Sequence, residues 1–247
     1  MGYSKGLLQQ YNRSGWIRLI GKGAYARAET DSTGIPLKNH KDLGWQGGLY
    51  ALQALNLNRA EKTAGIHVAA RTALELEGYA HYLSQSEKQT VWLFSEPGYR
   101  VPTWFRKHDW GATVKLYSPK LFSKPHPDSY SKKDWGSFVS IISSPERAIM
   151  ELLELCPKYE SLDHAKLVME NLAGLRSKLV SQLLQNCTSI KVKRLFLALS
   201  DMCGHAWLQD ADLKNVELGS GKRILESGRA LHPKYQVSVP KEEESRA

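Results

Sequence analysis

MGYSKGLLQQYNRSGWIRLIGKGAYAR, residues 1–27, carries five basic side chains (Lys5, Arg13, Arg18, Lys22 and Arg27) and no acidic one; the first carboxylate is Glu29. Ser4 stands where a hydroxyl can accept a hydrogen bond from an orphan amide of a first helical turn, which predicts a helix to about Arg13. On that helix Leu7, Leu8 and Tyr11 share one face, while Lys5, Gln9, Gln10 and Arg13 look outward. Ser14-Gly15 ends it. Trp16–Ile20 and Ala24–Ala28 then read as two short strands around Gly21-Lys22-Gly23, whose glycines allow the positive φ of a tight turn.

A basic helix feeding a basic hairpin is what the DNA-reading half of a winged helix-turn-helix needs, with the helix in the major groove and the hairpin on the adjacent backbone or minor groove. Gln9 and Gln10 could pair with adenine edges, and Lys5 or Arg13 with guanine or phosphate. Lys22 at the turn tip and Arg27 would meet phosphates, with Arg18 in the same basic set. The same residues also suit a segment that holds its charges in solvent.

Working outward, the chain of 247 residues has 42% hydrophobic and 24% charged residues, which fits a folded globular protein. Its formal net charge of +9 points to a polyanionic partner, nucleic acid before a membrane surface. The expected class is α+β. Residues 1–30 hold the helix and wing, 31–43 a polar linker, 44–135 an α+β region, 143–240 a helical array with a β-hairpin, and 241–247 a disordered tail.

Within the α+β region, Trp45, Leu49, Leu52 and Leu55 repeat with helical spacing; Ile66–Val68 and Thr90–Phe94 read as strands and Ala70–Gly78 as a helix. Val101–Tyr117 has strand-like pieces but no clean period. Pro119–Lys133 is the most loop-like stretch. Ser144-Pro145-Glu146 announces a helix with a cap, a proline at its first position and an acid in its first turn. Pro157 stops it, and three more helices follow: one from Ser161, one carrying Leu175, Leu179, Leu183 and Cys187, and one over Ile190–Met202. Residues 216–239 read as a hairpin or three-stranded meander.

Three widely spaced cysteines without a C-x-x-C pair suggest reduced core residues of a cytosolic protein. No segment has the apolar length of a membrane span. Gly219-Ser220-Gly221-Lys222-Arg223 departs from a phosphate loop at Val216 and Arg223, and is better taken as a turn. No metal-ligand spacing or catalytic motif is present, so no cofactor, metal or catalytic residue is assigned. Lys191, Lys193 and Arg194, cations at a helix N-terminus, form a second basic cluster that is either an anionic contact or a charged face. Lys120, Lys124, Lys132 and Lys133 make a third.

The ordered runs RSGWIRLIGKGAYAR, GWQGGLYALQ, HVAARTALELEGYAHYL, VWLFSEPG, SSPERAIMELL, KVKRLFLAL and LGSGKR…HPKYQVSVP resemble the AbiEi-type antitoxins of type IV toxin–antitoxin systems, from about residue 4 to 240. The resemblance implies a winged helix-turn-helix joined to a larger antitoxin domain. It implies an autorepressor that binds inverted repeats in double-stranded promoter DNA. It also implies a nucleotidyltransferase-like toxin, countered generally without a stable complex. By matching positions, Ser4–Arg13 would be the recognition helix and Gly21–Gly23 the wing tip. The family pattern has further helices before this one, so Leu7, Leu8 and Tyr11 are expected to lack their cover. Two alternatives stand beside it: an RNA- or protein-directed antitoxin with a vestigial N-terminus, and an enzyme acting on nucleic acid.

Overall fold

The computed structural model describes residues 4–29, 33, 35, 44–57, 65–79, 88–124 and 126–241. The first helix, α1 (Lys5–Arg13), starts where the cap predicts: Ser4 Oγ accepts from the Leu7 amide at 3.3 Å. It leads into an antiparallel hairpin of β1 (Ile17–Gly21) and β2 (Ala24–Arg27), with Ile17 opposite Arg27 and Leu19 opposite Tyr25. The linker residues 36–43 and the tail residues 242–247 lie outside the described residues, as do the side chains of Leu55–Leu57.

The rest of the chain is built on a five-stranded mixed sheet of β3 (Ile66–Val68), β4 (Thr90–Ser95), β5 (Thr113–Tyr117), β6 (Tyr130–Asp134) and β7 (Val139–Ser143), in the order β5-β4-β3-β7-β6. The short β3 sits at its centre, antiparallel to β4 and parallel to β7, and all three of its residues are buried. β4 and β5 are parallel, whereas β6 and β7 form an antiparallel pair. Parallel strands need a long crossover. Between β3 and β7 that crossover contains the whole β4–β6 segment.

Helix α2 (Trp45–Leu57) crosses β3 and β7, and its buried Gln53 ties the two strands together. The Gln53 amide donates to the carbonyls of Ile66 (3.0 Å) and Ile141 (2.9 Å), and its oxygen accepts from the Ile141 amide (2.9 Å). One side chain thus satisfies backbone groups that the short ladder leaves open. Trp45 packs edge-on to Trp135, and Tyr50 stacks on Phe138, which fixes α2 on the β6–β7 turn.

A further constraint lies at Gly48. A Cβ there would run into the indole ring of Trp110, which cannot yield because its Nε1 donates to the Phe105 carbonyl at 2.8 Å and its ring packs on Phe105. Helix propensity alone would favour Gly48→Ala by about 1 kcal/mol. Overpacking costs about 1–3 kcal/mol, so Gly48→Ala is expected to lower the urea midpoint. A raised midpoint would show that the α2–Trp110 contact is loose.

α3 (Ala70–Leu76) follows β3 directly, and α5 (Pro145–Leu155) packs on it and on the helices that follow: α6 (Leu162–Glu170), α7 (Ser177–Asn186) and α8 (Ile190–Met202). The buried stripes are those the periodicity predicts, with Ile149, Leu152, Leu153, Leu162, Ala165, Met169, Leu179, Leu183, Val192, Leu195, Phe196 and Leu199 nearly sealed from solvent. The three thiols are free; burial pushes Cys156 up to about 12 and Cys187 and Cys203 to about 11, which leaves them protonated and unreactive.

Two expectations change and a third narrows. Val101–Tyr117, with its strand-like pieces, does hold β5, but α4 (Thr103–Lys107) precedes it; the helix is a single turn and a half with only Phe105 buried, too short for a periodic signal. The loop-like Pro119–Lys133 ends in β6, a polar strand at the sheet edge, where lysines are tolerated because one rim faces water. Of the two readings of residues 216–239 the hairpin holds, in short form: β8 (Ala230–Leu231) pairs antiparallel with β9 (Ser238–Val239), with one bridge from Arg223 to Val237 and no third named strand among the described residues.

Candidate nucleic-acid interface

α1 and the hairpin form one local unit. The Asn12 side-chain oxygen accepts from the Leu19 amide at 3.1 Å, and the Trp16 amide donates to the Tyr11 carbonyl at 2.9 Å, so the strand leaves the helix in a set direction. Lys5, Gln9, Gln10 and Arg13 on the helix, and Lys22 and Arg27 on the hairpin, are all exposed; Arg18 is half-buried. No acidic residue falls between Ser4 and Ala28, so the exposed charge of this unit has one sign.

The strand pleat sorts the hairpin's two faces. Ala26 is buried and Ile20 packs on the main core, while Leu19 and Tyr25, paired across the other face, are exposed. The inward face rests on α4. Gly21 approaches so closely that a Cβ there would lie 2.7 Å from Trp104 Cβ, a contact that glycine alone permits. That docking brings the exposed Arg106 and Lys107 of α4 next to the hairpin, two cations that the sequence pattern did not single out. Tyr11, Trp16, Leu19 and Tyr25 leave a run of apolar side chains on the unit's surface, and Leu7 and Leu8 are only half-covered.

The second basic cluster is not a surface. Lys193 and Arg194 are about 5% exposed or less. Arg194 donates to the carbonyls of Leu218 (2.6 Å), Gly221 (2.5 Å) and Gln236 (3.2 Å), and so pins the irregular segment after α8. Lys191 donates to the carbonyls of Glu154 (2.6 Å) and Cys156 (2.9 Å) at the end of α5. Lys191 and Arg194 sit at a helix N-terminus because they serve backbone carbonyls of neighbouring segments, which outweighs the few tenths of a kcal/mol of opposing dipole. Gly219–Arg223 is a turn held by Arg194, as its glycines suggest. His205 bonds the Met169 carbonyl and stacks on Trp207, and His126 bonds Gln182; both are structural.

A second polar centre escaped the sequence. Glu151 on α5 is fully buried and accepts from His67 Nε2 (3.0 Å), Arg147 Nε (2.7 Å), Ser143 Oγ (2.7 Å) and the Ala70 amide (3.2 Å). Desolvation works against its charge, but the His67 interaction and the Arg147 guanidinium win and hold its pKa at about 2. Burial lowers His67 below its usual 6.5, so the ring is neutral near pH 7 with its proton on Nε2, facing the carboxylate. Arg147 lies between the rings of Phe122 (4.7 Å) and Tyr130 (4.5 Å).

The described residues thus form an α+β protein in which a basic helix-hairpin unit docks on α4, alongside a mixed sheet and a helical array. Residues 88–240 match the family model described as transcriptional regulator, AbiEi antitoxin, type IV TA system, and residues 1–85 match that of the AbiEi antitoxin N-terminal domain. The chain therefore belongs to the AbiEi antitoxin family. No curated protein matches it. Its fold is similar to that of the RV2827C protein from Mycobacterium tuberculosis in its crystal structure, at 14% identity and a TM-score of 0.57, over 96% of this chain and 80% of the other. Among the described residues no helix is long and apolar enough to cross a membrane.

Proposed function

We propose that this chain is the antitoxin of a type IV toxin–antitoxin system and represses its own operon by binding inverted repeats in the promoter, in the cytoplasm. The observation that carries this is the exposed, single-signed basic surface of α1 and the hairpin, in a family of transcriptional regulators. α1 would read the major groove through Gln9 and Gln10, and Lys5, Arg13, Arg18, Lys22 and Arg27 would hold phosphate or guanine. The inverted repeats call for two copies of the chain, one per half-site. Its counterpart would be a nucleotidyltransferase-like toxin, opposed without a lasting complex, and the chain itself would act as a regulator and not as an enzyme.

Titrating labelled promoter duplex against a scrambled duplex tests the reading. Preference for the promoter is expected, and equal affinity for both would sink specific repression. Lys22→Ala should weaken binding to every sequence alike, as loss of a phosphate contact does, whereas Gln9→Ala should relax sequence preference at one position by about 1–3 kcal/mol. Identical behaviour of the two variants would refute the division of roles.

A second reading has a specific observation in its favour. Tyr11, Trp16, Leu19 and Tyr25 expose apolar surface on the unit meant for DNA, which suits an N-terminus that contacts protein or RNA instead. A chain starting at residue 40 that still rescues cells from the toxin, while the promoter is repressed equally well, would favour it.

A further inference from the structure

We propose that the cavity bounded by β3, β6, α5 and the 119–124 loop binds a small phosphorylated ligand that also carries hydroxyl groups. This does not rest on DNA binding. The cavity has a volume of about 280 Å³, at the small end of ligand pockets, which run from roughly 300 to 1,000 Å³. Its floor is the Glu151 network. A carboxylate has about four lone-pair positions, and Glu151 fills them with the four donors of His67, Arg147, Ser143 and Ala70. Glu151 therefore has nothing left for a ligand; it holds His67 and Arg147 in place.

His67 is different. Its Nε2 proton is committed to Glu151, which leaves Nδ1 as a bare acceptor on a residue only 4% exposed. The ring lines the cavity, and an acceptor nitrogen open to a cavity suits a ligand group with an O–H. Neutral imidazole is the form that accepts, and burial keeps His67 neutral.

The 119–124 loop supplies charge. Lys120 and Lys124 line the cavity from that loop, and Glu96 lines it as well. Since Arg147 and Glu151 neutralise each other, the lining carries a net positive charge and suits an anion. Phe94, Phe122 and Tyr130 give the walls apolar area. A hydroxyl for His67 and a phosphate for the two lysines, joined by a compact frame, describe a sugar phosphate.

The test is a titration of the full chain with ribose 5-phosphate and, separately, orthophosphate, followed by thermal shift and calorimetry. Saturable binding of ribose 5-phosphate, tighter than that of orthophosphate, is expected. The double change Lys120→Ala, Lys124→Ala, on exposed side chains, should weaken it by about tenfold or more. On binding, the His67 Nδ1 nitrogen resonance should move as it gains a donor, a readout that does not need a variant of the buried network. Binding that survives the double lysine change at full strength, no saturable binding at millimolar ribose 5-phosphate, or orthophosphate binding as tightly as the sugar phosphate would each overturn the proposal.

Discussion

Replacing Glu151 with alanine is expected to destabilise the protein by about 3–5 kcal/mol, the range for removing one partner of a buried ion pair. The reason is what remains. Arg147, with a side chain 12% exposed, would keep its charge without a counter-ion, and Ser143 Oγ and the Ala70 amide would lose their acceptor. Ala70 also holds a φ of +50°, a conformation costly for alanine, and its amide is pinned by Glu151. The same carboxylate links β3, α3, β7 and α5, so its loss should act on the whole body of the protein.

The pH dependence of the native chain follows from the same group. A carboxyl held at about 2 in the folded state and near 4.5 when unfolded contributes stability that is fully present above pH 4.5 and lost as pH falls toward 2. The difference corresponds to about 3 kcal/mol. His67 acts in the same direction from higher pH: its folded pKa lies below 6.5, so the unfolded chain takes up the proton first and stability starts to fall below pH 6.5. Urea midpoints measured from pH 7.5 to 3 should therefore decline in the native protein, with a flatter decline below pH 4.5 in Glu151→Ala. A midpoint at pH 7.5 that the substitution leaves unchanged would show that the network carries no stability.

The second large effect concerns DNA. If Lys5, Arg13, Lys22 and Arg27 each neutralise one phosphate, changing all four to alanine should make the log–log salt slope of binding shallower by about 3.6. Between 50 and 200 mM salt the native chain would then lose about 150-fold more affinity than the variant. All four side chains are exposed, so the fold should survive. Fluorescence anisotropy with labelled promoter duplex measures both slopes. Parallel lines would remove these residues from the interface. Arg106 and Lys107 on α4, brought beside the hairpin by the Gly21–Trp104 contact, are the cations to change next if a steep slope remains.

What was legible in the sequence was local in origin. The serine cap of α1, the glycine turn of its hairpin, and the Pro145 start of α5 are signals carried within a few residues of where they act. The α8 stripe is a 3.6-residue repeat that needs no partner to be seen. β6 and α4 escaped for a shared reason. One is a polar edge strand and the other a turn and a half, and each owes its existence to the element it lies against.

The chain by itself determined the α+β class, the basic character of the N-terminal unit and, through its ordered motifs, the family. Only the tertiary structure decided which charges are surface. Lys193 and Arg194 read as a basic face, yet both are buried, and Arg194 bonds a carbonyl 42 positions away. Arg147 and Glu151 lie four positions apart, a spacing that carries no mark of burial, and they close a network with His67, which lies 84 positions before Glu151. A local pattern records spacing along the chain, whereas desolvation and hydrogen-bond partners depend on which distant segments fold against a side chain.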